Sequence, residues 1–347
     1  ALSALVCCIS GDAAGDELGS LSLFALQLGD CFADQFEFER ALAAYRCVLR
    51  RDEMLSRLKQ QLLVLRSRRD RQAHTAGTNW LALADIQRLD SLLAYNAARI
   101  AEMHTNVLFD ALWLMRLGRC LYDMGQLWEA CIAFEEVTRQ LGTCDEAKAA
   151  RQNLIYCLIQ MRLFERARKE IGLFVRMYPA SADLATMEFL HCETLINEEL
   201  FAEAECALLT LLQKYPEHPN KDRAEFYLYL SQALQEKFVE AQVGFARWRA
   251  TRTYTNSSVA ADVQYWDAMT WYYGGDYSNA LLRLEAFSTA WPGSRYESDV
   301  RYRIIVTHYM LERYYDAAVG LARWLQTYPE HPMIWEARIL RGDALAA

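Results

Sequence analysis

LGRCLYDMGQLWEACIAF (117–134), NLIYCLIQMRLFERARKEI (153–171) and LHCETLINEELFAEAECAL (190–208) are three copies of one pattern, and AMTWYYGGDYSNALLRL (268–284) and IVTHYMLERYYDAAVGL (305–321) repeat it. In each, an aromatic residue or Leu precedes an alanine by three positions. The alanines are Ala130, Ala167, Ala204, Ala241, Ala280 and Ala317, with successive separations of 37, 37, 37, 39 and 37. A fixed period of this length is the mark of a repeat architecture in which each unit buries its apolar face against the next.

The six prolines carry the same period. Tyr178-Pro179, Tyr215-Pro216, Trp291-Pro292 and Tyr328-Pro329 each place a proline 12 residues after a repeat alanine, and Pro219 and Pro332 complete two copies of YPEHP. Proline lacks an amide hydrogen and clashes with the preceding turn, so it closes one helix and admits the next. Between prolines, apolar residues recur at i, i+3, i+4 and i+7 on two segments. The unit is helix A, short turn, helix B, then a proline-marked connection. LSQALQEKFVEA (230–241) reads as a copy with a shortened A–B turn.

These residues resemble the tetratricopeptide repeat (TPR) family. Gly118, Leu121, Ala130 and Phe134 match one copy of its pattern, Ala268, Trp271, Ala280 and Pro292 another, and Gly29, Phe32, Ala41 and Tyr45 an earlier one. The resemblance covers residues 107–347 and 20–50. It implies an all-α, right-handed superhelical TPR solenoid, with helix A of each repeat lining the concave face. QYWDAMTWYYGGDYSNAL with its WPGS, and the recurrent Y-P-x-[SH], look like repeats of bacterial cell-envelope proteins, the Tol–Pal accessory protein and the outer-membrane-assembly lipoprotein among them.

The period breaks once. Ala41 and Ala130 are 89 positions apart, one period plus 52. Residues 38–72 hold no Gly or Pro and read as one long helix, with Leu55, Leu58, Leu62 and Leu65 in the 3-4-3 spacing of a coiled-coil seam. QAHTAGTN ends it, Thr78 or Asn79 offering a cap, and a second helix over about 79–104 presents Leu81, Leu89, Leu92 and Ile100. The expectation is an antiparallel hairpin over 51–106, set between N-terminal repeats (1–50) and the main array (107–347), either projecting or packed back on the repeats. Arg66, Arg68, Arg69 and Arg71 form a basic patch near its tip, with Arg88 lower down. Such a patch suits an acidic partner, phosphate or anionic headgroups, or simply completes a helix C-terminus. Counting back 37 from Ala41 reaches Ala4, in ALSALVCCIS, and Gly342 occupies the small-residue place of another helix A, so a segment of a longer array is expected. A trimmed secretion signal with a lipidated cysteine is the competing reading of ALSALVCC.

Composition excludes several classes. Gly and Pro number only 15 and 6, too few for a turn-rich β fold. A net charge of −8 disfavours a nucleic-acid binder, and no apolar run reaches the roughly 18 residues of a membrane span, although peripheral membrane association stays open. The ten cysteines contain no CxxC and read mainly as small apolar residues. Phosphate-loop, GxGxxG, HExxH and GxSxG patterns are absent. The six histidines are scattered, and His218 and His331 share one place in the two YPEHP copies. No enzyme activity, cofactor or metal is expected.

Function is then expected from surface. Register places Arg116, Arg119, Tyr122, Gln152, Asn153, Tyr156, Glu193, Asn197, Tyr265, Met269, Tyr272, Tyr273, Tyr302 and Tyr309 on the A-helix face, polar first and aromatic later. Tyr combines broad contact area with a hydrogen-bonding tip. The reading is a non-catalytic scaffold that holds a peptide or helix of a protein partner, or else a permanent subunit of a larger assembly. The resemblance points to the bacterial envelope and the thiol content to cytoplasm.

Overall fold

The computed structural model describes residues 18–75, 77, 80–142, 144–251 and 256–347. Ala4, Cys7, Cys8 and the candidate caps Thr78 and Asn79 lie outside them. The described residues form seventeen α-helices and no strand. They pack as two compact units, divided after Ala180.

In the first unit, α1 (Leu18–Asp34) and α2 (Phe38–Tyr45) form an A/B pair. Then come a long pair, α3 (Arg51–Thr75) and α4 (Trp80–Thr105), and two further A/B pairs: α5 (Phe109–Asp123) with α6 (Leu127–Leu141), and α7 (Asp145–Gln160) with α8 (Phe164–Met177). The second unit holds α9 (Leu184–Asn197) with α10 (Phe201–Lys214), α11 (Lys221–Leu234) with α12 (Phe238–Ala250), α13 (Ala260–Tyr273) with α14 (Tyr277–Ala290), and α15 (Glu297–Met310) with α16 (Tyr314–Thr327). A last helix A, α17 (Ile334–Ala346), carries Gly342.

The repeat alanines, Ala41 included, are all fully buried at the A–B contact. Opposite them, glycine and bulk trade places. A Cβ on Gly118 would stand 2.7 Å from the Phe134 ring, and one on Gly29 2.4 Å from that of Tyr45. In two later repeats the glycine moves to helix B: a Cβ on Gly244 would meet Tyr229 at 2.2 Å, and one on Gly320 would meet Ile305 at 2.9 Å. The small residue is therefore set by the pair, on whichever helix faces the larger side chain.

Every A–B turn of an A/B pair has three residues, and the middle one is left-handed: Phe36, Gly125, Arg162, Glu199, Glu236, Gly275 and Glu312. Each lies five residues before a repeat alanine. The next amide reaches back five residues, as in Leu163 N–H to Leu158 O at 2.9 Å and Lys237 N–H to Gln232 O at 2.9 Å, which closes a Schellman-type cap. The turn at 235–237 matches the others, so the expected shortening is corrected: Glu236 takes the place that glycine fills elsewhere.

The helix expected over 38–72 is also corrected. It breaks at 46–50 because other groups take its hydrogen bonds. The Trp113 indole donates to Tyr45 O at 2.9 Å, Ser22 Oγ accepts from Leu49 N–H at 3.4 Å, and Asp110 Oδ1 caps Arg51 N–H at 2.8 Å. Val48 turns into the core. Consequently α2 packs directly on α5, and α3 packs essentially on α4 alone. Only the hairpin base, Met54, Leu55 and Met103, joins the core of the first unit. Leu58, Leu62 and Leu89 continue the seam between the two helices, whereas Leu81, expected on it, is exposed. The hairpin projects from the repeats.

The two YPEHP histidines build turns. His218 Nδ1 accepts from Asn220 N–H at 2.9 Å while Nε2 contacts Ala185 O at 3.2 Å, and His331 Nδ1 accepts from Met333 N–H at 3.2 Å. Of the eight described cysteines, all free thiols, Cys120, Cys131, Cys157 and Cys192 are buried and Cys31 and Cys206 exposed.

Candidate functional site

In the first unit, the A helices α5 and α7 stand side by side and present one face of each. Arg119 and Tyr122, one turn apart on α5, and Asn153 and Tyr156, one turn apart on α7, project from it. With Asp123 and Phe134 they line a single cavity of about 250 Å³. Four of these six, Arg119, Tyr122, Asn153 and Tyr156, are on the face expected from register. Asp123 follows from its place beside Tyr122, and Phe134 belongs to the repeat pattern rather than to that face. The Asn153 Nδ2 is shielded from solvent and has no hydrogen-bond partner among the described residues, an arrangement that costs free energy. The Gln160 amide donates to Tyr122 Oη at 2.5 Å, which fixes that ring, and burial pushes the Tyr122 hydroxyl above its ordinary range. Gln152 is half-buried beside Asn153.

Arg116 lies one turn before Arg119 and is committed elsewhere. Its guanidinium meets Asp30 Oδ2 at 3.3 Å, and Tyr45 Oη donates to Asp30 Oδ1 at 2.9 Å. The cavity thus offers the Arg119 cation, the Asp123 carboxylate and aromatic walls. These groups can grip an extended backbone and one side chain, and no nucleophile–base pair stands among them. Among the described residues, no cluster of three or more metal-ligating side chains occurs.

The second unit distributes its predicted residues differently. Glu193 is engaged by Arg223 at 2.5 Å and by Tyr227 Oη at 3.2 Å, and burial raises its carboxyl. Asn197 is exposed and donates to Glu193 O at 2.8 Å. Tyr265, Met269 and Tyr302 are corrected from surface to core, because the stacking of successive repeats covers them. Tyr265 stacks on Tyr296 with centroids 4.0 Å apart and donates to Asp299 at 2.8 Å, while Tyr302 packs on Trp324. Tyr272 and Tyr273 receive the Arg303 guanidinium, 5.2 and 5.9 Å from their centroids. Tyr273 remains exposed, and Tyr309 is half-buried against Tyr314 at 5.3 Å. Arg303 is a residue that periodicity could not find, since it fills the aromatic surface from the neighbouring helix α15.

A second charged group lies beneath this face. Asp267 is 2% exposed and lies 3.0 Å from Arg249 and 3.2 Å from Arg283, whose guanidinium also covers Trp271 at 4.9 Å. Burial raises the Asp267 carboxyl in spite of both arginines.

Residues 257–347, about a quarter of the chain, match the YfiO family model, described as outer membrane lipoprotein. Among curated proteins none matches by sequence. Solved structures share the fold. A tetratricopeptide repeat protein from Parabacteroides merdae superposes with a TM-score of 0.50 at 11% identity, over 92% of this chain and 98% of its own. The C-terminal part of a TPR repeat-containing protein from Cytophaga hutchinsonii gives 0.51 at 14% identity, over 70% and 94%. The type IV pilus biogenesis factor PilW gives 0.51 at 12% identity, over 65% and 97%.

Proposed function

We propose that this chain, which has the tetratricopeptide-repeat fold, is a non-catalytic interaction scaffold that holds an extended peptide or a helix of a partner protein against its A helices. One observation carries the reading: Arg119, Tyr122, Asn153 and Tyr156, from two consecutive repeats, converge on one cavity. Backbone carbonyls of an extended segment can accept from the exposed Arg119 guanidinium, and the Tyr rings add apolar contact at low entropic cost. Tyr273, Tyr309 and Asn197 extend the reading to the second unit as further contacts.

A second reading, a permanent subunit of a larger bacterial envelope-associated assembly, is favoured by the opposite faces. The positions two before and two after the repeat alanine hold Trp128 and Ile132, Val239 and Val243, and Tyr315 and Val319, all exposed. Exposed apolar surface recurring in register favours lasting burial against a neighbour. On α8 the equivalent places carry the Glu165–Lys169 ion pair instead. The match of residues 257–347 to an outer membrane lipoprotein family supports the envelope as the setting.

Panning displayed random peptides against the full chain separates the two. Peptides held in the groove should lose about tenfold in affinity on Asn153→Ala or Tyr156→Ala and be indifferent to Val243→Asp. Peptides that respond only to Val243→Asp would overturn the groove and leave the outer face as the working surface.

A further inference from the structure

In three repeats a charge on helix A is answered by its opposite on helix B of the same pair. Arg151 meets Glu170 between α7 and α8, Glu188 meets Lys214 at 2.6 Å between α9 and α10, and Asp267 meets Arg283 at 3.2 Å between α13 and α14. Arg151 and Glu188 lie 16 residues before their repeat alanines, Ala167 and Ala204, and Arg301 occupies the same place before Ala317. The answering residues lie 3 or 10 positions after the alanine. In the α15–α16 pair those places hold Gly320 and Thr327, and between them, 6 after the alanine, stands a second arginine, Arg323. Two cations therefore face the groove where the other repeats set an ion pair.

That groove is open. Arg301, Ile304 and Ile305 of α15 and Gly320, Arg323 and Trp324 of α16 line a cavity of about 230 Å³. Gly320 leaves the room, since even a Cβ there would stand 2.9 Å from Ile305. The Trp324 indole is held by its bond to Ser298 O at 2.9 Å. Both arginines are exposed. Arg301 has only Glu297 at 2.5 Å, one turn earlier on its own helix, and an exposed pair of this kind contributes little and exchanges readily. Arg323 forms no ion pair among the described residues. The Thr327 hydroxyl donates back to Arg323 O at 3.0 Å, so recognition of charge in this groove falls to the two guanidiniums.

We propose that the α15–α16 groove holds an acidic–apolar segment of a partner protein, an Asp or Glu carboxylate between Arg301 and Arg323 and the adjoining apolar side chain on Ile304 and Ile305 beside Gly320. Like charges facing one groove repel until a counter-charge enters, and guanidinium forks match the two oxygens of a carboxylate. An apolar lining with a few convergent polar groups is the general form of a binding pocket. The net charge of −8 keeps extended polyanions away from the chain as a whole, whereas a single carboxylate on a peptide meets only the local pair of cations. The groove lies within the second unit and is separate from the cavity at α5 and α7.

Panning displayed random nonapeptides on the full chain, with counter-selection against the double variant Arg301→Glu with Arg323→Glu, tests this. Surviving peptides should share an Asp or Glu beside an apolar residue. Made as fluorescein-labelled peptides with amidated C-termini, so that only side-chain carboxylates bind, they should lose about tenfold in affinity on Arg323→Gln. They should be indifferent to Tyr156→Ala in the other cavity. The double variant should instead prefer the same peptides with Lys in place of the acidic residue, a reversal that loss of structure does not produce. Both arginines are exposed, and unchanged helicity by circular dichroism verifies the fold of each variant. The inference is overturned when no peptide survives the counter-selection, or when the survivors carry no acidic residue. Survivors released by Tyr156→Ala and not by Arg323→Gln would also overturn it, while upholding the cavity at α5 and α7.

Discussion

Glu199 and Glu236 show how much a single residue can sacrifice to a repeat. Both sit in the left-handed region, at φ 60° and 61°, where a side chain with a Cβ is strained. Gly125 and Gly275 fill the same place in other repeats at φ 74° and 82°. Glu199→Gly should therefore stabilise the protein by about 0.5–1 kcal/mol, the relief of strain exceeding the added entropy of the unfolded chain, as measured by urea denaturation. Asp267 yields a second prediction at this scale. Its carboxyl titrates above its ordinary value of 3.8 in the folded state. The folded protein thus holds that proton more tightly than the unfolded chain. The resulting stability is complete below the unfolded value and is lost as pH rises through the folded one. Asp267→Asn, which cannot titrate, should flatten this part of the pH profile; identical wild-type and variant profiles from acid to neutral pH would refute the assignment.

At the scale of elements, the hairpin depends on a capping contact with a distant helix. Asp110 on α5 accepts the first amide of α3, so the long helix begins where the repeats hold it. Asp110→Ala should cost about 1 kcal/mol, and its effect should concentrate at the hairpin base. Hydrogen exchange should then quicken over residues 51–55 and stay unchanged at the α2–α5 contact. The break before α3 was not legible in the sequence, since residues 38–72 contain neither Gly nor Pro, and weak helix formers such as Tyr45, Cys47 and Val48 do not by themselves end a helix. Trp113, Ser22 and Asp110, remote along the chain, supply the competing hydrogen bonds.

For the whole molecule, each of the two units has its own buried clusters: one around Phe134, Leu154 and Leu158, others around Phe245, Phe287 and Trp324. In a repeat protein, stability is roughly a sum of repeat and nearest-neighbour terms. Residues 181–347 expressed alone should therefore retain helical circular dichroism and a cooperative thermal transition. A fragment that is unfolded in isolation would contradict two self-sufficient cores. The candidate binding surfaces follow the same logic, because the cavity of the first unit needs only α5, α6 and α7 to assemble.

The amino-acid sequence alone determined the helix pairs of the repeats, their period and the place of every repeat alanine, because these follow from contacts within about 40 residues of chain. It also brought Arg119, Tyr122, Asn153 and Tyr156 onto one face through helical register. Only the tertiary structure decided that Tyr265, Met269 and Tyr302 are core, that Arg303 fills the space beside Tyr272, and that the hairpin stands free with Trp80 exposed. Period and register specify the direction in which a side chain leaves its helix. What it meets depends on the size and charge of residues a repeat away, and those vary from copy to copy while the backbone does not.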